Sequence, residues 1–139
     1  MTHTTYYLAG LAVGTAPDTT CRENPHLLAT EEGQEWYAGW YAGYDETGWG
    51  SIAKLESEKV RYLVCRIYAH AARFYENGWD VVQECLEARD IAAHLTADMT
   101  VTEAINAVAR GEYLAAYNDR RNDVLAAGEL PTTKFVVGT

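Results

Sequence analysis

The chain has 139 residues, of which 48% are hydrophobic, and its 11 lysines and arginines against 20 aspartates and glutamates give a net charge of −9. This size fits one domain, and the hydrophobic content excludes a generally disordered protein. No apolar run reaches transmembrane length and no secretory leader pattern begins the chain, so a cytoplasmic protein without membrane contact is expected.

The negative charge is concentrated in the N-terminal part of the chain. Residues 1–50 carry seven acids against one arginine, a net charge of −6, whereas the remaining residues carry 13 acids against ten bases, a net charge of −3. A strongly acidic segment repels the phosphate backbone that supplies most nucleic-acid affinity. Direct nucleic-acid binding is therefore disfavoured, and a partner with a basic surface is favoured.

The first third of the chain is predicted to contain two short elements joined by a loop. Tyr6–Val13 is short and apolar and fits either a brief helix or a strand. Gly14–Leu28 is predicted to be the loop, because Asn24-Pro25 is a turn signal. Thr30 is a favourable N-cap, and the two glutamates after it suit the positive end of a helix dipole. A helix is therefore predicted from this cap to about Tyr44.

This predicted helix is rich in aromatic residues. Six rings fall within fourteen residues, at Trp36, Tyr37, Trp40, Tyr41, Tyr44 and Trp49. We expect Trp36, Trp40 and Tyr44 to form a buried structural stripe. Tyr37 and Tyr41 are expected to stay at a surface, because tyrosine and tryptophan are enriched at binding hot spots. The other face carries only small residues and suits close packing, including self-association: Ala38, Gly39, Ala42 and Gly43.

A second helix is predicted after the glycines that end the aromatic helix. Ser51 is its expected cap, and apolar positions recur at three- and four-residue steps as far as Phe74, before the stop signal Asn77-Gly78. Its other face carries a basic stripe, formed by Lys59, Arg66 and Arg73, with His70 nearby. We interpret this stripe as the solvated side of an amphipathic helix. The alternative is that it docks against the acidic N-terminal segment or an external acid.

Two further helices are predicted in the remainder of the chain. Trp79–Leu95 has helical periodicity, although Trp79–Leu86 taken alone also fits a strand. Thr100 and Glu103 form a capping box. This box predicts a helix that begins at Val101 and continues to about residue 127.

The predicted fold is all-α, a compact bundle of four to five helices. Residues 1–49 form a short helix-loop-helix unit, and residues 50–139 form three longer helices that pack with it as one unit. The alternative is an α+β fold with a small strand pair, for which Phe135–Val137 is the other candidate strand.

Nothing in the sequence indicates catalysis. The four histidines are dispersed, and the chain has no nucleophile elbow, phosphate-binding loop, dinucleotide fingerprint or zinc-protease motif. Cys21, Cys65 and Cys85 form no close pair or Cys/His cluster, so they are interpreted as reduced thiols. The chain is therefore predicted not to be an enzyme and to bind neither a metal nor a cofactor.

One resemblance covers residues 6–45. The first helix of this segment has the Tyr-x-Ala-Gly-x-Ala pattern, at Tyr7, Ala9, Gly10 and Ala12. A proline loop follows at Asn24-Pro25-His26, and then a helix with the Trp-x-x-Gly-Trp pattern, at Trp36, Gly39 and Trp40. This segment resembles the ribosome modulation factor family, and similar segments occur in small proteins of phages and mobile elements. The resemblance implies a helix-loop-helix fold, rRNA contact and ribosome hibernation. Because that family is strongly basic and this copy is acidic, we expect the fold to carry over and the ligand not to.

The sequence favours a non-enzymatic binding protein. We expect an acidic phage or mobile-element protein that blocks a basic surface of a host nucleic-acid-handling complex, of the anti-CRISPR or anti-restriction type. The alternatives are a ribosome-associated modulator and a self-associating structural protein, for instance a homodimer. The candidate partner-binding residues are acids and tyrosines of the aromatic helix: Glu31, Glu32, Glu35, Tyr37, Tyr41, Asp45 and Glu46.

Overall fold

A computed structural model describes residues 2–48, 50–74 and 87–108. Within these ranges the chain forms five α-helices and one short 3-10 helix, Cys21–Glu23, and no strand. The α-helices are α1 Thr5–Thr15, α2 Glu31–Thr47, α3 Glu58–Phe74, α4 Ala88–Ala92 and α5 Val101–Val108. The predicted all-α fold is confirmed for this part. The predictions for Trp79–Leu86, for the helix beyond Val108 and for Phe135–Val137 lie outside the described residues.

Helices α1 and α2 are in contact through their backbones. A Cβ atom on Gly10 would overlap the carbonyl oxygen of Trp36, and one on Gly39 would overlap the carbonyl oxygen of Tyr7. Glycines one turn further along each helix, Gly14 and Gly43, have the same role. The small-residue face of α2 is therefore covered by α1 of the same chain. The expectation that this face is available for self-association is wrong.

We predict that Gly39→Ala destabilises the protein although alanine is the better helix former. The substitution gains about 1 kcal/mol of helix propensity but places a methyl group against main-chain atoms that cannot rotate away, an overpacking cost of about 1–3 kcal/mol or more. Chemical denaturation should show a net loss of stability. The control is Ala12→Gly on the exposed side of α1, which should cost only about 1 kcal/mol. A Gly39→Ala variant as stable as the natural chain would contradict the close packing.

The start of α2 and its end before Gly48 match the prediction, whereas the start of α3 does not. Thr30 caps α2 by accepting a hydrogen bond from the Gly33 amide at 3.1 Å. The helix continues past Tyr44 to Thr47. Ser51 does not cap a helix, because its hydroxyl donates to Asp45 at 2.8 Å. Helix α3 begins seven residues later at Glu58, where Ser57 accepts a hydrogen bond from the Val60 amide at 3.2 Å.

The aromatic stripe of α2 is buried as predicted, with one correction. Trp36 and Trp40 are 3% and 0% exposed, and Tyr44 is half-buried with its ring stacked on Trp40 at a centroid distance of 4.9 Å. The indole nitrogen of Trp40 donates to Thr19 at 3.2 Å, which attaches the loop after α1 to α2. Tyr37 is only 2% exposed, so the expectation that it stays at the surface is wrong.

We predict that Trp40→Ala costs about 3–5 kcal/mol of unfolding free energy, because the substitution removes a fully buried ring and leaves a cavity. Thermal and chemical denaturation measure this loss. The control is Leu27→Ala, which removes a side chain that is 77% exposed and should change stability by about 0.5 kcal/mol or less. Unchanged stability in the tryptophan variant would show that the ring is not part of the core.

The short helices α4 and α5 pack against α3. Ile91 of α4 and Val108 of α5 join the core with exposures of 0% and 1%. The predicted capping box is confirmed, because the Thr100 amide donates to Glu103 at 3.0 Å and the Glu103 amide donates back to Thr100 at 3.1 Å. None of the described helices is long and apolar enough to span a membrane.

Candidate functional site

The carboxylate of Glu35 lies where α1, α2 and α3 meet. Its Oε1 accepts a hydrogen bond from Thr4 at 2.8 Å, and Thr4 in turn caps α1 by accepting from the Tyr7 amide at 3.2 Å. Its Oε2 accepts from the Tyr62 hydroxyl at 2.5 Å and from Arg66 at 2.7 Å. Glu35 is 5% exposed. The expectation that it faces solvent and binds a partner is therefore wrong: its carboxylate connects three elements inside the fold.

Arg66 is the counter-charge of this network. One terminal nitrogen donates to Glu35 and, at 3.1 Å, to the hydroxyl of Tyr62. The other donates to both carboxylate oxygens of Glu31, at 3.1 and 2.9 Å, and to Gln34 at 3.3 Å. Arg66 is 2% exposed, so the interpretation of the basic stripe as a solvated face is wrong at this position. The alternative, docking against the acidic N-terminal segment, is confirmed for Arg66.

The network stabilises the charge of Arg66 and the proton of Tyr62. Burial opposes the charge on Arg66, but the interactions with Tyr62, Glu31 and Glu35 outweigh it and raise the pKa of the guanidinium. Burial, reinforced by the hydrogen bond to Glu35 and opposed by Arg66, raises the pKa of the Tyr62 hydroxyl to about 12. Tyr62 therefore stays protonated as the donor to Glu35 and accepts from Arg66 with its oxygen lone pair.

We predict that Glu35→Ala destabilises the protein by about 3–5 kcal/mol, because it leaves the buried guanidinium of Arg66 without its main counter-charge. Denaturant titration measures the change. The matched control is Glu46→Ala in the same helix, an exposed position where the expected change is about 0.5 kcal/mol or less. Equal effects of the two substitutions would show that Glu35 has no structural role.

The buried tyrosines predict how stability depends on pH. Burial is the largest cause of the raised pKa of Tyr7, Tyr41 and Tyr68, as it is for Tyr62. Their contribution to stability is fully present below the unfolded tyrosine pKa of about 10 and is lost as pH rises through the higher folded values. We expect helix content to fall in one step between about pH 10 and 12, and tyrosinate absorbance to rise in the same step. A gradual rise of tyrosinate absorbance near pH 10 with no loss of helix would contradict the burial.

Beside this network lies an open cleft, the α2–α3 cleft, with a volume of about 370 Å³. It is lined by Thr4, Tyr6, Glu31, Glu32, Glu35, Tyr62, Arg66 and Val101. Three carboxylates and one guanidinium therefore face one space, and the guanidinium is already bonded to two of the carboxylates. The ring of Tyr6 lies at the cleft and is 39% exposed. The cleft has the charge and the aromatic edge that suit a cationic ligand.

The two glutamates at the start of α2 are accessible. The side chain of Glu31 is 77% exposed even though it pairs with Arg66. Glu32 is half-buried and lines the cleft, and its carboxylate has no hydrogen bond or ion pair with any residue in the described ranges. The sequence pattern indicated both as candidates and Arg66 as an alternative docking residue, but it did not indicate Tyr62 or Tyr6. The basic stripe was the one signal that pointed to Arg66.

The other candidate residues are divided between surface and interior. Glu46 is exposed, and Tyr41 is half-buried with its ring 4.5 Å from that of Tyr68. Asp45 is 4% exposed and accepts hydrogen bonds from the Ile52 and Ala53 amides at 2.9 and 3.2 Å. Asp45 therefore holds the turn between α2 and α3, and the expectation that it contacts a partner conflicts with its burial.

The thiols and other potential metal ligands are separated in the part of the chain that is described. Cys65 is fully buried and Cys21 half-buried, and both are free thiols. Burial raises the pKa of Cys21 to about 11, which disfavours the reactive thiolate at neutral pH. No group of three histidines, cysteines or acids in the described ranges could hold a metal ion. Cys85 lies outside these ranges.

Searches against protein-family models, curated proteins and solved structures gave no match to this chain. The resemblance to the ribosome modulation factor family therefore stays a prediction. The residues that carry it have structural positions here: Gly10, Trp36, Gly39 and Trp40 form the contact between α1 and α2. These residues therefore explain why the segment would share the helix packing of that family, and they give no reason for it to share that family's ligand.

Proposed function

We propose that this protein is a non-enzymatic binding protein that docks through carboxylates at its surface onto a basic surface of another protein. The observation that carries the proposal is the composition of the exposed surface. In residues 2–48, 50–72 and 87–108, for which side-chain exposure is described, ten exposed acids stand against three exposed bases, Arg22, Lys54 and Arg89. The acids are Asp18, Glu23, Glu31, Glu46, Glu56, Glu58, Glu87, Asp90, Asp98 and Glu103.

Within this surface, α2 is the favoured docking element. Glu32 and Glu46 are fourteen residues apart, so at about 100° per residue they point in directions within about 40° of each other. Glu31 is exposed beside Glu32, and Tyr6 adds a partly exposed ring at the same end of the helix. Burial removes Glu35, Tyr37 and Asp45 from the predicted docking set. Glu31, Glu32 and Glu46 remain, with the half-buried Tyr41 behind them.

The partner class follows from charge. Proteins that handle nucleic acid carry basic surfaces, and an acidic protein that occupies such a surface blocks access to the phosphate backbone. The proposed activity is therefore inhibition of a host nucleic-acid-handling complex by a phage or mobile-element protein, of the anti-CRISPR or anti-restriction type. Electrostatic docking of this kind mainly increases the association rate and weakens as salt rises.

The experiment compares capture of host proteins by the natural chain and by two charge-reversal variants. The test variant is Glu32→Lys/Glu46→Lys, which reverses the α2 face without breaking the Arg66 pairs. The control is Glu56→Lys/Asp90→Lys, which changes the net charge equally at two exposed positions elsewhere. We expect the natural chain and the control to retain a basic nucleic-acid-binding protein at low salt, and the test variant to lose it. Equal capture by all three proteins, or capture insensitive to salt, would contradict the proposal.

A ribosome-associated role is the alternative, and the same experiment distinguishes it. Ribosomal proteins and rRNA in the captured material would support that alternative. Tighter binding of naked RNA by the test variant than by the natural chain would show that the scaffold is an RNA binder with inverted charge. Neither result is expected if the surface binds a basic protein.

A further inference from the structure

We propose that the α2–α3 cleft accepts the side chain of a single arginine from a polypeptide segment of the partner, an inference that rests on the proposed function and gives it a site. The cleft has room for such a side chain, since its volume is about 370 Å³ and it is open to solvent on one side. Its lining contains three carboxylates and one guanidinium, so an incoming cation is attracted by the net negative charge.

Glu32 is the first group that can accept hydrogen bonds from this arginine. It lines the cleft, it is half-buried, and its carboxylate accepts no hydrogen bond from any residue in the described part of the chain. Glu31 is its neighbour in sequence. Both carboxylate oxygens of Glu31 accept from Arg66, at 3.1 and 2.9 Å, but the side chain is 77% exposed, so the remaining lone pairs of these oxygens face solvent. A planar guanidinium can bond to one carboxylate with two parallel N–H donors and use its other donors for a second carboxylate, which an ammonium cannot do as well.

Arg66 supplies the second, independent observation. Its side chain is 3% exposed and forms part of the cleft wall, and its terminal nitrogens are bonded to Glu35, Tyr62, Glu31 and Gln34. Its Nε–H, however, is buried and has no acceptor among the described residues. Buried donors without an acceptor are rare in folded proteins and indicate a missing acceptor. A polypeptide segment brings carbonyl oxygens as well as a cationic side chain. A small opening of the cleft on binding would therefore give this buried donor an acceptor while the cation meets Glu32.

Tyr6 explains why arginine is preferred to lysine. Its ring is held edge-to-face against His26 at a centroid distance of 5.1 Å, and it remains 39% exposed at the cleft. A flat guanidinium can stack on such a ring while its edge bonds to carboxylates, whereas an ammonium is a compact and strongly hydrated charge. The cleft therefore combines a planar stacking surface with a pair of acceptors.

The test uses isotope-labelled full-length protein and two short blocked peptides, acetyl-Gly-Arg-Gly-amide and acetyl-Gly-Lys-Gly-amide, titrated by nuclear magnetic resonance. We expect the arginine peptide to shift the amide signals of Thr4, Tyr6 and Glu32 and to bind about fivefold or more tightly than the lysine peptide. Glu32→Gln should weaken the arginine peptide by about fivefold or more, since it removes a charged acceptor. The control Glu56→Gln, an exposed acid outside the cleft, should leave binding unchanged.

Two outcomes overturn the inference: shifts spread over the acidic surface without a focus at the cleft, or equal binding of both peptides. Tyr6→Leu gives a second reading, because it should reduce the preference for arginine and leave the Glu35 network intact. The failure of this inference is distinguishable from that of the proposed function. If the partner is captured but the arginine peptide does not bind in the cleft, only the proposed site is contradicted. If the peptide binds in the cleft but no basic protein is captured, the proposed function is contradicted.

Discussion

The arrangement of the first three helices depends on one buried ion pair, between Glu35 of α2 and Arg66 of α3 at 2.7 Å. Both side chains are almost wholly buried, with 6% and 3% exposure, so each must be compensated by the other and by hydrogen bonds. Thr4 and Tyr62 supply those bonds, and Thr4 also caps α1. A shift of any one helix would leave a buried charge unpaired. The pair therefore selects one relative placement of α1, α2 and α3.

The ion pair also determines which acidic side chains remain at the surface. It draws Glu35 into the interior and holds Glu31 by a second contact to Arg66, while Glu32 stays without a described partner at the cleft. The acidic residues of α2 therefore have two different roles. Glu35 and Asp45 stabilise the fold from inside, whereas Glu31, Glu32 and Glu46 remain accessible to a partner. The acidity of the N-terminal segment consequently has both a structural and a surface component.

Local signals in the sequence predicted the elements better than they predicted the site. The caps at Thr30 and Thr100 depend on residues within three positions, and both were read correctly from the sequence. Ser51 and Ser57 are both suitable N-cap residues by type. Because the hydroxyl of Ser51 donates to Asp45, the cap of α3 is Ser57. Glu32 and Glu35 lie about one turn apart on the same predicted helix, and no local signal shows that only Glu35 is buried. Their different burial depends on Arg66, more than thirty residues away, and such a pairing leaves no trace in helical periodicity.

The claim that Glu35 stabilises the fold whereas Glu31 remains accessible is tested most directly by the coupling free energy of each glutamate with Arg66. Double-mutant cycles would combine Arg66→Met with Glu35→Leu in one case and with Glu31→Leu in the other. We predict a coupling of about 2–3 kcal/mol for the buried pair and of about 0–1 kcal/mol for the exposed pair. The Arg66→Met/Glu35→Leu protein should also recover much of the stability lost by either single variant. Equal couplings, or a larger value for Glu31, would contradict the account.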